Sequence, residues 1–174
     1  MAVTKYSMAR RVMYDGLDDG FRLIETAQMP IITPKPFYTI DISLNYYEGR
    51  KNPYYLFLYS GYEISSKEEL IITFSDKREL RLPVTDSRIL YSNADILNKM
   101  KPTYEVIYHL EEQQLNDIIS SPIIAVKIAS GNEWNEWRIN KYSNEDVGKW
   151  LRLNHKAINK RLSNPKYWKY LPLT

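Results

Sequence analysis

Through the middle of this chain hydrophobic and polar residues alternate with a period of two. In FYTIDISLNYY (37–47), Tyr38, Ile40, Ile42, Leu44 and Tyr46 share one face, and Thr39, Asp41, Ser43 and Asn45 share the other. That alternation predicts a strand with one face in a core. YYLFLYSG (54–61) is apolar on both faces, as a central strand is. EELIITFSDKRELRLPV (68–84) reads as a hairpin, with Leu70, Ile72 and Phe74 on one arm and Leu80, Leu82 and Val84 on the other. TYEVIYHL (103–110) is a further strand, and PIIAVKIAS (122–130) with EWRINKY (136–142) predicts a last pair turning at Gly131-Asn132. EEQQLNDIIS (111–120) predicts one short helix with Leu115, Ile118 and Ile119 inward. Residues 85–102 are less regular, with a short helix expected over Ala94–Met100 and stopped by Pro102. The in-phase strand positions Ile40, Ile42, Leu56, Leu58, Ile72, Phe74, Val106, Tyr108, Val126, Ile128 and Trp137 are the expected core.

The first 36 residues lack this alternation. They suggest a short helix over Phe21–Met29 and then an extended connector containing Pro30, Pro34 and Pro36. The expected organisation is therefore an N-terminal arm (1–36), a β-rich domain (37–142) and a basic helical segment with an aromatic tail (143–174). Short connections and few helices place the fold in the α+β class, mainly antiparallel β, as a sandwich or a partly open barrel. Trp134 and Trp137 lie three residues apart, so in extended chain their rings point to opposite faces. Trp137 is expected in the core and Trp134 at a rim or protein interface.

Composition adds exclusions. There is no cysteine, hence no disulfide, thiolate metal site or cysteine nucleophile. Tyr outnumbers Phe by 15 to 4, which suits half-covered strands and protein interfaces. No nucleophile elbow, phosphate-binding loop, dinucleotide fingerprint or zinc-protease string occurs, and His109 and His155 have no spacing that pairs them. YDGLDDG (14–20) misses the register of a calcium loop and reads as Asp-Gly turns. The expectation is a protein without catalysis, cofactor or bound metal, and without a deep cleft in which two or more titratable groups have strongly perturbed pKa values. The opening residues lack the apolar stretch of a secretory signal, and no window approaches the ~18 apolar residues of a membrane helix. A cytoplasmic or virion location, with no membrane insertion, is the expectation.

Charge is divided unevenly. From Lys141 to Thr174 there are eight Lys/Arg against Glu145 and Asp146, a net of +6, so with +3 overall residues 1–140 carry −3. In SNEDVGKWLRLNHKAINKRLS (143–163), Ser143 and Asp146 approximate a capping box. Read as one helix, Val147, Trp150, Leu151, Ile158 and Leu162 form an apolar stripe that leaves Leu153 wet. Read as two helices, Val147, Gly148, Leu151, Leu153, Ile158 and Leu162 occupy apolar or small positions and Asn154 caps the second helix. The stretch then resembles the helix-turn-helix family over about 20 residues, with Arg152 where the turn glycine usually stands. The resemblance implies a bend at Arg152–Asn154 and nucleic-acid contacts from Arg152, His155, Lys156, Asn159 and Lys160. The tail NPKYWKYLPLT offers Tyr167, Trp168 and Tyr170 as anchors for another protein chain.

The leading functional expectation is a non-enzymatic subunit of a homo- or hetero-oligomeric assembly, most concretely a neck or tail ring of a tailed phage. A DNA-binding or regulatory protein using 143–163 comes second, and a small hydrolase third.

Overall fold

The computed structural model describes residues 11–32, 39–49, 51–90, 103–130, 133–138, 146–164 and 166. Two antiparallel sheets and two helices account for most of them. The larger sheet is built from β1 (Val12–Asp18), β2 (Phe21–Thr26), β3 (Met29–Ile32), β4 (Thr39–Tyr47), β5 (Tyr54–Ser60), β8 (Asp86–Leu90) and β9 (Thr103–His109). Its order is β1-β2-β4-β5-β9-β8, with β3 pairing β4 beside β2. This sheet curls into a half-barrel. The smaller sheet has the order β11-β10-β6-β7, from β6 (Leu70–Phe74), β7 (Glu79–Leu82), β10 (Ile123–Ser130) and β11 (Glu133–Arg138). The α+β, mainly antiparallel class read from the sequence is the class of the structure.

All eleven expected core positions are buried. Residues Ile40, Ile42 and Leu44 of β4, with Leu56 and Leu58 of β5, meet Leu70, Ile72, Phe74, Val126 and Trp137 of the smaller sheet in one continuous core. The 68–84 hairpin forms as expected, with Leu70 opposite Leu82 and Ile72 opposite Leu80. Helix α1 (Glu112–Ser120) buries Leu115 and Ile118, and Glu111 closes a capping box with Gln114 at its start. The helix expected over Ala94–Met100 lies outside the described residues.

The N-terminal expectation is overturned over residues 12–32, while residues 1–10, Pro34 and Pro36 lie outside the described residues. Residues 12–32 are three strands of the larger sheet rather than an arm, and Ile24, Met29 and Ile31 join the core. The proposed helix over Phe21–Met29 is β2 followed by the start of β3. In β2 the burial alternates, with Arg22, Ile24 and Thr26 inside, but an arginine and a threonine at inward positions hide the period from a hydrophobicity reading. The Asp19-Gly20 turn between β1 and β2 has positive φ at both residues (49° and 82°), which is the two-residue hairpin geometry that Asp-Gly favours. Gly16, the glycine of the other Asp-Gly pair, lies within β1 instead of at a turn. Pro30 is accommodated because β3 covers only part of β4 and pairs on one side.

Helix α2 (Val147–Ser163) closes the core, burying Val147, Leu151, Asn154, Ala157 and Ile158. It is continuous through 152–154. The bend required by the helix-turn-helix resemblance is therefore absent, and the one-helix stripe is the pattern the chain adopts. Its N-cap is Asp146, whose carboxylate accepts from the Lys149 backbone N–H at 3.1 Å. Asn154 caps nothing: it lies at mid-helix and ties α2 to the N-terminal strands. Its Oδ1 accepts from Arg11 at 3.1 Å. The Ala27 carbonyl, at the break between β2 and β3, accepts from Trp150 Nε1 at 2.9 Å and from Asn154 Nδ2 at 3.4 Å. Arg11 also stacks on the Trp150 ring, 4.3 Å from its centroid.

Candidate functional site

Because the larger sheet curls, the face turned away from the core is concave and only partly wet. The residues expected on the solvent side of β4 include Ser43 and Asn45, yet each is only 1% exposed. The concave face carries a second, small apolar cluster of Tyr55, Phe57 and Ile107, with Tyr47 and Tyr59 packed against it. Strand register sets its polar residues in rows. Asp41 of β4, Tyr59 of β5, Glu105 of β9 and Arg88 of β8 are successive cross-strand partners. Glu25 of β2 lies opposite Tyr14 of β1.

Between the two edge strands this face holds a cavity of about 300 Å³. Its walls are Tyr14, Leu17 and Asp18 of β1, Leu23 and Glu25 of β2, Tyr47 and Phe57 of the central strands, and Arg88, Leu90 and Glu105 from the opposite edge. The tyrosines are held by their hydroxyl groups. Tyr14 donates to the Leu17 carbonyl at 3.1 Å and Tyr47 to the Asp18 carbonyl at 3.0 Å. Gly16 makes room for the first of these rings, since a Cβ there would lie 2.6 Å from Tyr14 Oη.

Three carboxyls of this face, Glu25, Asp41 and Glu105, are raised together. Burial raises the pKa of Glu25, and the Glu105 and Asp18 charges add to the shift while Arg88 opposes it. Burial raises Glu105 as well, against the pull of Arg88 and a hydrogen bond from Tyr59. The Arg88 guanidinium reaches Glu105 at 3.2 Å. Burial also raises Asp41, and the Tyr59 hydroxyl is raised by burial and by both glutamates. Two carboxyls with raised pKa values, Glu25 and Glu105, thus lie in one cleft. They escaped the sequence reading because they lie 80 residues apart and only the curl brings β2 and β9 to one cavity; the sole available signal was the polar face of each strand.

The residues singled out in the sequence lie elsewhere. Trp137 is buried while Trp134, opposite Ala129 on the outer face of β11, is 43% exposed with Lys127 4.6 Å above its ring. His109 is settled in the fold, its Nε2 3.0 Å from the Asn52 carbonyl and its ring against Tyr55. On α2, Lys156, Asn159 and Lys160 are exposed, whereas Arg152 and His155 are half-buried. His155 rests against Tyr54, which also donates to Asn159 at 3.0 Å. Burial lowers the His155 pKa, so this ring is no ready phosphate contact. Tyr167, Trp168 and Tyr170 lie outside the described residues.

No helix among the described residues is long and apolar enough to cross a membrane. Comparison with protein-family models, curated proteins and solved structures finds no match.

Proposed function

We propose that this protein is a non-enzymatic assembly subunit that associates with copies of itself through the edge strand β8, a subunit of a tailed-phage neck or tail ring being the concrete form. One observation carries the reading. All five residues of β8 are exposed, and Ile89 and Leu90 place apolar side chains on a strand whose sole neighbour among the described residues is β9. An unpaired edge with apolar residues is a template for strand addition. The opposite edge is better protected, because the register of β1 shifts at a bulge between Val12 and Tyr14. Antiparallel addition of β8 to β8 of a second copy is self-complementary and closes a two-fold dimer, and a ring assembled from such dimers uses a further, heterologous surface of each copy.

The test is the mass in solution by sedimentation equilibrium, comparing the protein with Ile89→Lys. The proposal expects an oligomer that dissociates in the variant, with secondary structure retained. A monomer at every concentration, or an oligomer indifferent to Ile89→Lys, overturns it. Helix α2 supplies a nucleic-acid control: Lys149, Lys156 and Lys160 are exposed along it, and a DNA-binding role requires affinity that falls steeply with salt and with neutralisation of Lys156 and Lys160.

A further inference from the structure

The cavity on the concave face has a composition that neither strand addition nor the core explains. Three carboxylates, Asp18, Glu25 and Glu105, meet one guanidinium, Arg88, between aromatic walls. Acidic groups inside a curl are costly, since each must shed water and two of them repel. The sheet retains them although alternate positions of the same strands are aliphatic.

Deeper on this face two more polar groups stand without a partner. Ser43 Oγ and Asn45 Nδ2 are buried and make no hydrogen bond. Ser43 is the cross-strand partner of Phe57, which lines the cavity. Asn45 is fixed through its oxygen, which accepts from the Thr26 backbone N–H at 2.9 Å.

We infer that this cavity binds an organic ammonium ion carrying an apolar body, with the charged head between Glu25 and Glu105 and the body against Phe57 and Tyr47. Several observations narrow the ligand to this class. An anion would meet an excess of negative charge. A hard divalent ion asks for six to eight oxygen ligands, and among the described residues no group of three or more acidic or imidazole side chains is arranged to hold a metal. The Tyr14 and Tyr47 hydroxyls are already directed to backbone carbonyls, which leaves their ring faces for contact with a cation or a hydrocarbon. A volume of about 300 Å³ is at the small end of ligand sites, enough for a head group with one ring or a short chain. An ammonium would also offset the burial that raises both carboxyls and the Glu105 charge that adds to the Glu25 shift.

Arg88 and Leu90 of β8 form one wall of the cavity, but the charge partners of the ammonium are Glu25 of β2 and Glu105 of β9, so Ile89→Lys tests the assembly reading and Glu25→Gln tests this inference separately. An ammonium on an apolar body has two sources, a free amine and a lysine side chain of a peptide such as Lys166 or Lys169 of the aromatic tail.

The test is calorimetric titration of the full chain at neutral pH and low salt with phenethylammonium, with phenylacetate as the anion of similar shape, and with a peptide of residues 164–174. The inference expects saturable binding of the amine or the peptide and none of phenylacetate. Glu25→Gln and Glu105→Gln should each weaken that binding by about tenfold or more, as loss of a desolvated charge partner does. Peptide binding stronger than amine binding assigns the site to a lysine side chain, and the reverse order assigns it to a free amine. Thermal melts check that both variants fold; Glu25 is only half-buried, so its variant keeps the test open if Glu105→Gln does not fold. No saturation by either cation up to roughly 10 mM, equal binding of phenylacetate, or binding unchanged in a folded variant overturns the inference.

Discussion

The two faces of the larger sheet are made by alternate residues of the same strands, and they treat burial differently. Toward the smaller sheet, β4 and β5 present Ile40, Ile42, Leu44, Leu56 and Leu58, each wholly buried in an aliphatic core. Toward the concave side the same strands present Asp41, Ser43, Asn45, Tyr55, Phe57 and Tyr59, several of them as deeply enclosed. Enclosure by a partner sheet requires apolar side chains, because nothing there can replace water. Enclosure by curvature leaves an open end, so polar groups persist at the cost of perturbed ionisation. Burial alone therefore does not distinguish a core from a site; what the buried surface is made of does.

The largest expected effect sets one phenylalanine from each side against the other. Phe74→Ala should cost about 3–5 kcal/mol, since the ring is enclosed by well-packed neighbours and leaves a cavity. Phe57→Ala should cost roughly half as much, because its space opens into an existing cavity. Denaturant midpoints at unchanged slope measure both. Equal costs would break the distinction between the two faces.

Much of the first face was legible in the sequence. Strands β4, β5, β6, β9 and β10 carry uninterrupted alternation or apolar runs, and every core position drawn from them is buried. The strands that were missed share a physical cause. β1 and β8 are edge strands with one neighbour and little burial, so neither has an apolar face to leave a periodic mark. β2 conceals its alternation by turning Arg22 and Thr26 inward. Arg22 tolerates this position because its guanidinium pairs with Asp15 at 2.8 and 2.9 Å, a pairing across β1 and β2 that no local pattern displays. The concave cavity was illegible for a similar reason, since its two glutamates come together through the curvature of the sheet. The helix-turn-helix resemblance failed at Asn154, a residue that reads as a cap and instead sits buried at mid-helix as a partner for Arg11.

That last contact gives the next effect in size. Asn154→Ala should cost about 2 kcal/mol, because it leaves the buried Arg11 guanidinium with only the more distant Trp150 carbonyl, at 3.5 Å, as acceptor. Thermal unfolding checks it, and a loss below about 0.5 kcal/mol would show that the contact is dispensable.

A smaller effect sharpens the concave side. Gly16→Ala should cost about 1 kcal/mol by displacing the Tyr14 ring, with a change in tyrosine fluorescence but no loss of the aliphatic core. An unaltered tyrosine signal would mean that the ring does not need the glycine.

The smallest concerns pH. Glu25 has a folded pKa raised chiefly by burial, so the folded state holds its proton more tightly than the unfolded chain does. Its contribution to stability therefore falls as pH rises through the interval between the unfolded and folded pKa values. Glu25→Gln removes that term, and the stability difference between variant and parent should shift in favour of the variant as pH rises from the acid range toward neutrality. Chemical unfolding at several pH values measures it; a constant difference, or one of opposite sign, would contradict the burial of this carboxylate.

The Ala27 carbonyl, with donors from Trp150 and Asn154, carries a consequence for the order of folding. The residues it joins are separated by 123 and 127 positions, so the break between β2 and β3 cannot be secured until almost the whole described chain has been synthesised. Closing loops of that length is entropically slow. A nascent chain would pair β1 with β2, and β2 and β3 with β4, early. It would still leave the Ala27 carbonyl without its helix donors until α2 emerges, and Trp150 fluorescence in refolding should report a late step, after the hairpins have paired.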